Sequence, residues 1–294
     1  MMLTESRNPR TNHIDQLSPL EIVQLMNDED ATVADAVKAV LPQVAQAVEA
    51  ISERLANGGR LFYIGAGTSG RLGVIDAVEC VPTFSTPPEL VQAIMAGGSR
   101  AFTEPIEGAE DSREQGRADL LARGVTAADA VVGIAASGRT PYVVSALETA
   151  NETGAVTIAV VCNAPSAMLD VAKIGIAALV GPEVISGSTR LKSGTAQKLI
   201  LNMLSTASMI RLGKVYGNLM VDVRLSNEKL VRRARGIIME VAGVDDAEAK
   251  RLLAESNNEV KTAIAMSLLG VGAGEARQRL RAAGGRLADA ISDK

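Results

Sequence analysis

The stretch RLFYIGAGTSGRLGVIDAVEC, residues 60–80, sets Gly65, Gly67 and Gly70 at G-x-G-x-x-G spacing, with the hydroxyls of Thr68 and Ser69 before the last glycine. Such a loop can hold a dinucleotide pyrophosphate against a helix N-terminus, or a smaller phosphate that uses hydroxyl donors. The dinucleotide reading needs an acidic residue near the end of the next strand, to bind the ribose hydroxyls. That place is taken by Gly97, Gly98 and Ser99, and the nearest carboxylate, Glu89, precedes the strand.

Two further segments have the same character. AASGRTPY brings Ser137, Gly138, Arg139 and Thr140 up to Pro141, a residue suited to the first position of a helix. PEVISGSTRLKSGTAQK, residues 182–198, carries Ser186, Ser188, Thr189 and Ser193 together with Arg190, Lys192 and Lys198. Each alone is compatible with a plain glycine turn or an ordinary helix cap. Three such loops at one sheet edge point to a small phosphate ester, with a sugar phosphate the expected ligand.

The elements that position these loops follow from apolar patterning. Short apolar runs occur at 60–65, 90–97, 129–137, 155–163 and 174–181, separated mostly by helix-like stretches. Near-continuous apolar strands alternating with helices predict a doubly wound α/β fold with a five-stranded parallel sheet, whose ligands sit beyond the strand C-termini. Ahead of the sheet, Ser18, Pro19 and Glu21 form a capping-box start. A second helical pattern runs from Val33 to Leu55, with Pro42 expected to kink or split it. A long helix is expected from about 195 to 214. Residues 237–294 read as three short amphipathic helices without strands. The expected organisation is therefore 1–55, an N-terminal arm and helices; 56–236, the ligand-binding domain; and 237–294, a small helical subdomain.

Composition narrows the function classes. The chain has 294 residues, 47% hydrophobic but 2% aromatic, and a net charge of −4. Few aromatics and no basic excess argue against nucleic-acid binding. A single histidine, His13, excludes a multi-histidine metal site within one chain. Two cysteines, Cys80 and Cys162, offer no disulfide framework and suit a reduced compartment. No apolar run approaches the roughly 20 residues of a membrane span, and the polar start lacks the apolar core of a signal peptide. A cytoplasmic protein without membrane attachment is expected.

GAGTSGRLGVIDAVEC, GAEDSREQG, AASGRTPY and PEVISGSTRLKSGTAQK, with TESRNPRTNHID near the start, resemble the N-acetylmuramic acid 6-phosphate etherase family over nearly the whole chain. The resemblance implies a sugar isomerase (SIS) fold, flavodoxin-like and related to the glucokinase regulatory protein. It also implies cleavage of the D-lactyl ether with water, giving N-acetylglucosamine 6-phosphate and D-lactate. The C-terminal helices are similar to a ubiquitin-associated three-helix unit, and a homodimer is implied.

The chemistry has its own logic. An ether at C3 of a sugar resists hydrolysis at neutral pH. Once the ring opens, the C1 aldehyde acidifies the C2 proton and lactate can leave from C3; water then adds to C3 of the unsaturated aldehyde. This needs a base and an acid, which two carboxyl groups in different environments supply, and it calls for no metal or cofactor.

By resemblance, Glu79 is the proton donor and Glu110 the second active-site residue, assigned to C2 proton abstraction. Gly67, Thr68, Ser69, Ser137, Gly138 and Thr140 fall on phosphate and sugar loops, with Ser186 and Glu183 as additions, Glu183 toward sugar hydroxyls. His13 is either a surface residue or part of an arm that completes a neighbouring subunit's pocket. Two other functions share the fold: a non-catalytic sugar-phosphate regulator, which has no need of paired glutamates, and an aldose–ketose phosphate isomerase, which deprotonates C2 without elimination.

Overall fold

The structure, a computed structural model, describes residues 3–225 and 227–292. Five parallel strands form one sheet: β1 (Leu61–Gly65), β2 (Val91–Met95), β3 (Ala130–Ile134), β4 (Val156–Val161) and β5 (Ile174–Ala177). Their order is β2-β1-β3-β4-β5. β1 pairs with β2 on one side and β3 on the other, so Gly65 registers with both Met95 and Ile134. Connections run outward from β1 in both directions. The crevice at this reversal lies beyond the strand ends, where an open α/β sheet receives its ligand.

Helices α1 (Pro19–Asp30), α2 (Val33–Lys38) and α3 (Leu41–Ala56) precede the sheet. Ser18 and Glu21 close the expected capping box on α1. Pro42 does split the second helical pattern, because a proline lacks the N–H that would continue a helix but is tolerated in a first turn, and here it begins α3. Helices α4 (Gly67–Phe84), α5 (Arg113–Ala122), α6 (Pro141–Glu152), α7 (Ala167–Val171) and α8 (Lys192–Arg211) follow strands or strand-edge loops. β1, β3 and β4 are buried along their whole length, the state expected of strands covered on both faces.

The described residues group into two compact units, Met1–Ala77 with Glu89–Ser205 and Val78–Pro88 with Thr206–Lys294. This revises the expected boundaries. Residues 1–55 are no separate domain: Val44, Ala47, Val48 and Ile51 of α3 are buried, and α3 packs against β3, β4 and β5.

The second unit holds a short hairpin, β6 (Val215–Tyr216) with β7 (Leu219–Met220). It also holds α9 (Glu228–Ala242), α10 (Asp246–Glu255), α11 (Val260–Leu269), α12 (Ala273–Ala282) and α13 (Leu287–Ile291). The expected three-helix subdomain of 237–294 is therefore too small. A boundary at 236/237 would cut α9, whose Ala234, Ile237 and Ile238 are buried in a core running from Val221 to Ala290. The pattern reading missed α9 because VRRARG sets three arginines among Val231, Ala234 and Gly236 and so interrupts its apolar stripe.

Candidate functional site

Two of the three glycines in the first loop are demanded by packing. A Cβ on Gly70 would lie 2.7 Å from the Gly65 carbonyl oxygen, and one on Gly65 would lie 2.8 Å from the Gly70 nitrogen. Strand end and helix start therefore touch backbone to backbone. The Gly70 N–H donates to the Ala66 carbonyl at 3.1 Å, so helical bonding begins there. The N–H groups of Gly67, Thr68 and Ser69 are then left without intrahelical acceptors, a helix end suited to an anion.

The side chains of this loop divide. Gly67 borders an open cavity and Thr68 is half-buried, its Cγ2 3.6 Å from where a Cβ on Gly194 of α8 would sit. Ser69 is buried and donates its hydroxyl to Gln197 Oε1 of α8 at 2.9 Å. Ser69, expected on the phosphate and sugar loops, stands on the first of them with its side chain turned to α8. Its hydroxyl proton goes to α8, while its backbone N–H is one of those without an intrahelical acceptor.

The second loop leaves β3 beside the first, since β1 and β3 are neighbours. Ser137 Oγ accepts the Arg139 N–H at 3.2 Å. Thr140 stands at the N-cap of α6 yet makes no side-chain capping bond, so its hydroxyl is uncommitted. Gly138 has φ +67°, and a Cβ there would meet Ser166 Oγ at 2.4 Å. Only glycine satisfies both constraints.

The third loop does other work than expected at one position. Glu183 is fully buried, and its two carboxylate oxygens accept the Lys192 and Ser193 N–H groups, each at 2.9 Å. It caps the N-terminus of α8, where negative charge is favoured. By resemblance it is expected toward sugar hydroxyls; in the structure each of its oxygens accepts one backbone N–H of α8. Ser186 is exposed, two residues from Ser188.

The N-terminal arm packs on its own chain. Thr11 donates to the Val184 carbonyl at 2.8 Å, and Asn163 Nδ2 donates to Thr4 Oγ1 at 2.8 Å. His13 is exposed. Thr4 and Thr11 are buried against these partners, and Asn8 is buried as well.

A cavity of about 360 Å³ opens at the C-terminal ends of β1 and β2. Its walls include Ala66, Gly67, Arg71, Met95 and the segment 105–110, which ends at Glu110. Glu110 is exposed on a single 3₁₀ turn, Ala109–Asp111, between Gly108 at φ +71° and Ser112, whose hydroxyl caps α5. Glu79 is also exposed but does not line this cavity. It stands twelve residues beyond Gly67 on α4, about 18 Å of helical rise.

Arg71 was not singled out by sequence reasoning. It donates Nε to the Phe102 carbonyl at 3.0 Å and Nη2 to the Ala101 carbonyl at 2.8 Å, bracing the turn that walls the cavity. Its signal is position alone. It follows Gly67 by four residues, so it shares that glycine's helix face.

Comparison with known proteins now discriminates among the readings. The glucokinase regulatory protein N-terminal SIS domain matches residues 43–151, and the C-terminal lid domain of that protein matches residues 217–267. An N-acetylmuramic acid 6-phosphate etherase from Brucella anthropi is 56% identical over 291 residues, covering 99% of this chain and 95% of the relative. That from Mycolicibacterium smegmatis is 54% identical, covering 98% of this chain and 97% of the relative. The chain belongs to the N-acetylmuramic acid 6-phosphate etherase family.

The solved structure of a candidate phosphosugar isomerase involved in capsule formation, from Bacteroides fragilis, is 20% identical. It aligns with a TM-score of 0.52 over 74% of this chain and 97% of that one. At that identity it speaks for the fold, and the fold is SIS-type α/β. The lid match begins at 217, before residue 237, and so takes in the whole of α9. No helix among the described residues is long and apolar enough to cross a membrane.

Proposed function

We propose that this protein cleaves the D-lactyl ether of N-acetylmuramic acid 6-phosphate, consuming water and releasing N-acetylglucosamine 6-phosphate and D-lactate. The observation that carries the reading is the cavity at the C-terminal ends of β1 and β2, bounded by the anion-binding end of α4 on one side and by Glu110 on the other. The family membership supplies the substrate class. The phosphate is held by N–H groups of the first loop and by hydroxyls of Thr68, Ser137 and Thr140, with Gly138 keeping the second loop close.

In the proposed sequence, Glu110 takes the C2 proton of the open-chain aldehyde. The C2–H electrons form the C2–C3 double bond as the C3–O bond breaks, and Glu79 protonates the departing lactate oxygen. Water then adds at C3 and a proton returns to C2. Such proton transfers by positioned side chains contribute on the order of 10²–10⁴ each.

Glu79 stands about 18 Å of helical rise along α4 from Gly67, and we place it in the site of a second copy of this chain. Ile75 and Val78, 51% and 61% exposed beside Glu79 on α4, provide an apolar face for such a dimer. A cytoplasmic location suits a sugar phosphate, which does not cross membranes unaided.

The test is release of D-lactate from the muramic acid phosphate in ¹⁸O-labelled water. Label in the C3 hydroxyl of the product sugar, together with solvent deuterium at C2 when the reaction is run in D2O, supports elimination and addition; label in lactate overturns it. Wild-type protein that binds the sugar and frees no lactate overturns the etherase reading in favour of a regulator.

A further inference from the structure

The proposed substrate differs from its product by a lactyl group, and that group carries a carboxylate. Any site that accepts it must offset a negative charge beside the cavity's own acids, Glu107 and Glu110. Two like charges in a partly desolvated pocket repel strongly, since the interaction grows as the effective dielectric falls. A fixed cation in the same wall offsets that charge most directly. Of the residues lining the cavity, Arg71 alone is cationic.

Its geometry suits that duty. Nε and Nη2 are spent on the carbonyls of Phe102 and Ala101, which fixes the guanidinium plane. Nη1 has no partner among the described residues. An arginine held along one edge presents its remaining N–H groups in a set direction, and such a fork matches a carboxylate.

Resting on the etherase reading, we propose that Arg71 is the specificity-determining residue that binds the lactyl carboxylate, so that the site distinguishes substrate from the lactyl-free product. The same contact anchors the leaving group while the C3–O bond breaks.

The test compares two ligands on the E110Q background, where substrate is not consumed. Arg71→Met should weaken N-acetylmuramic acid 6-phosphate by about 10- to 100-fold, the range of one charge-assisted hydrogen-bonded contact, and leave N-acetylglucosamine 6-phosphate within about threefold. Arg71→Lys should fall between.

Equal weakening of both sugars would mean that Arg71 only braces the turn, and would overturn the proposal. Should the methionine variant fail to fold, the substrate with its lactyl carboxylate converted to a carboxamide tests the unaltered protein. A loss of about 10-fold or more supports the contact, and equal binding of acid and amide removes it. If wild-type protein neither binds nor cleaves the lactyl sugar, the etherase reading fails first and takes this assignment with it.

Discussion

Lys192 Nζ lies 2.6 Å from Glu29 Oε2, and the two side chains are only 3% and 7% exposed. Glu29 also holds Arg10 Nη1 at 2.9 Å. The arm, α1 and the first turn of α8 are thus joined by one cluster of charges around the buried Glu29.

Removing one partner of a buried ion pair leaves an uncompensated charge, which costs more than the pair contributes. Lys192→Met is expected to lower unfolding free energy by about 3 kcal/mol, moderated by the contact that Arg10 keeps with Glu29. The double variant Glu29→Leu with Lys192→Met should regain much of that loss. Urea unfolding of both variants and the wild type measures it; a double variant as unstable as the sum of its singles contradicts the account.

Acid stability should depend on Asp129 and Glu29. Burial opposes ionisation of Asp129, but hydrogen bonds from Arg60 and the Thr126 N–H, with the Arg60 charge, outweigh it and hold the carboxyl below its ordinary value. Burial likewise opposes ionisation of Glu29, and Lys192, Asn8 and Arg10 overcome it. Folded pKa values below unfolded ones mean stability that is present above the ordinary carboxylate range and lost as pH falls through the folded values. Asp76 works in the opposite sense, because burial raises it despite bonds from Asn202, Tyr63 and Ser205. Asp129→Asn should therefore be less stable than wild type at pH 7, with the gap closing as pH drops below about 4. A gap constant from pH 7 to pH 3 in urea titrations contradicts this.

Gly138 tests the second loop. Alanine there meets both a positive φ and the Ser166 side chain, so Gly138→Ala should cost about 2 kcal/mol and weaken sugar-phosphate binding. In a Ser166→Gly background only the dihedral penalty remains, and the cost should fall to about 1 kcal/mol. Equal costs in the two backgrounds would show that Ser166 is not the obstruction.

A shared site has a quantitative signature. Glu79→Gln and Glu110→Gln should each reduce turnover by about 10² or more. If each site draws Glu79 from one copy and Glu110 from another, mixing the two variants with subunit exchange restores one intact site per heterodimer. About a quarter of wild-type activity should return at equal mixing, by the statistics of a two-fold dimer. An inactive mixture, with exchange verified by mass spectrometry, would confine both glutamates to one copy's site.

Much of this was legible in the chain itself. Apolar runs located all five strands, because a strand covered on both faces has no polar alternation to blur it. The Ser18–Glu21 box and Pro42 marked helix starts, because their effects act within one turn. Glycine spacing and hydroxyl-rich segments identified the loops beyond the sheet.

What a side chain at those loops touches was decided by tertiary structure. Ser69 and Thr140 look alike in sequence, yet Ser69 is bonded to Gln197, 128 residues away, and Thr140 makes no cap bond. Glu183 reads as a sugar contact until α8 folds against it and uses both its oxygens. Arg71 gains meaning only when the 99–102 turn and Glu110 meet it around one cavity. Periodicity and caps are local properties that neighbouring residues determine; a hydrogen bond has one donor and a few places to send it, and distant elements determine which is nearest.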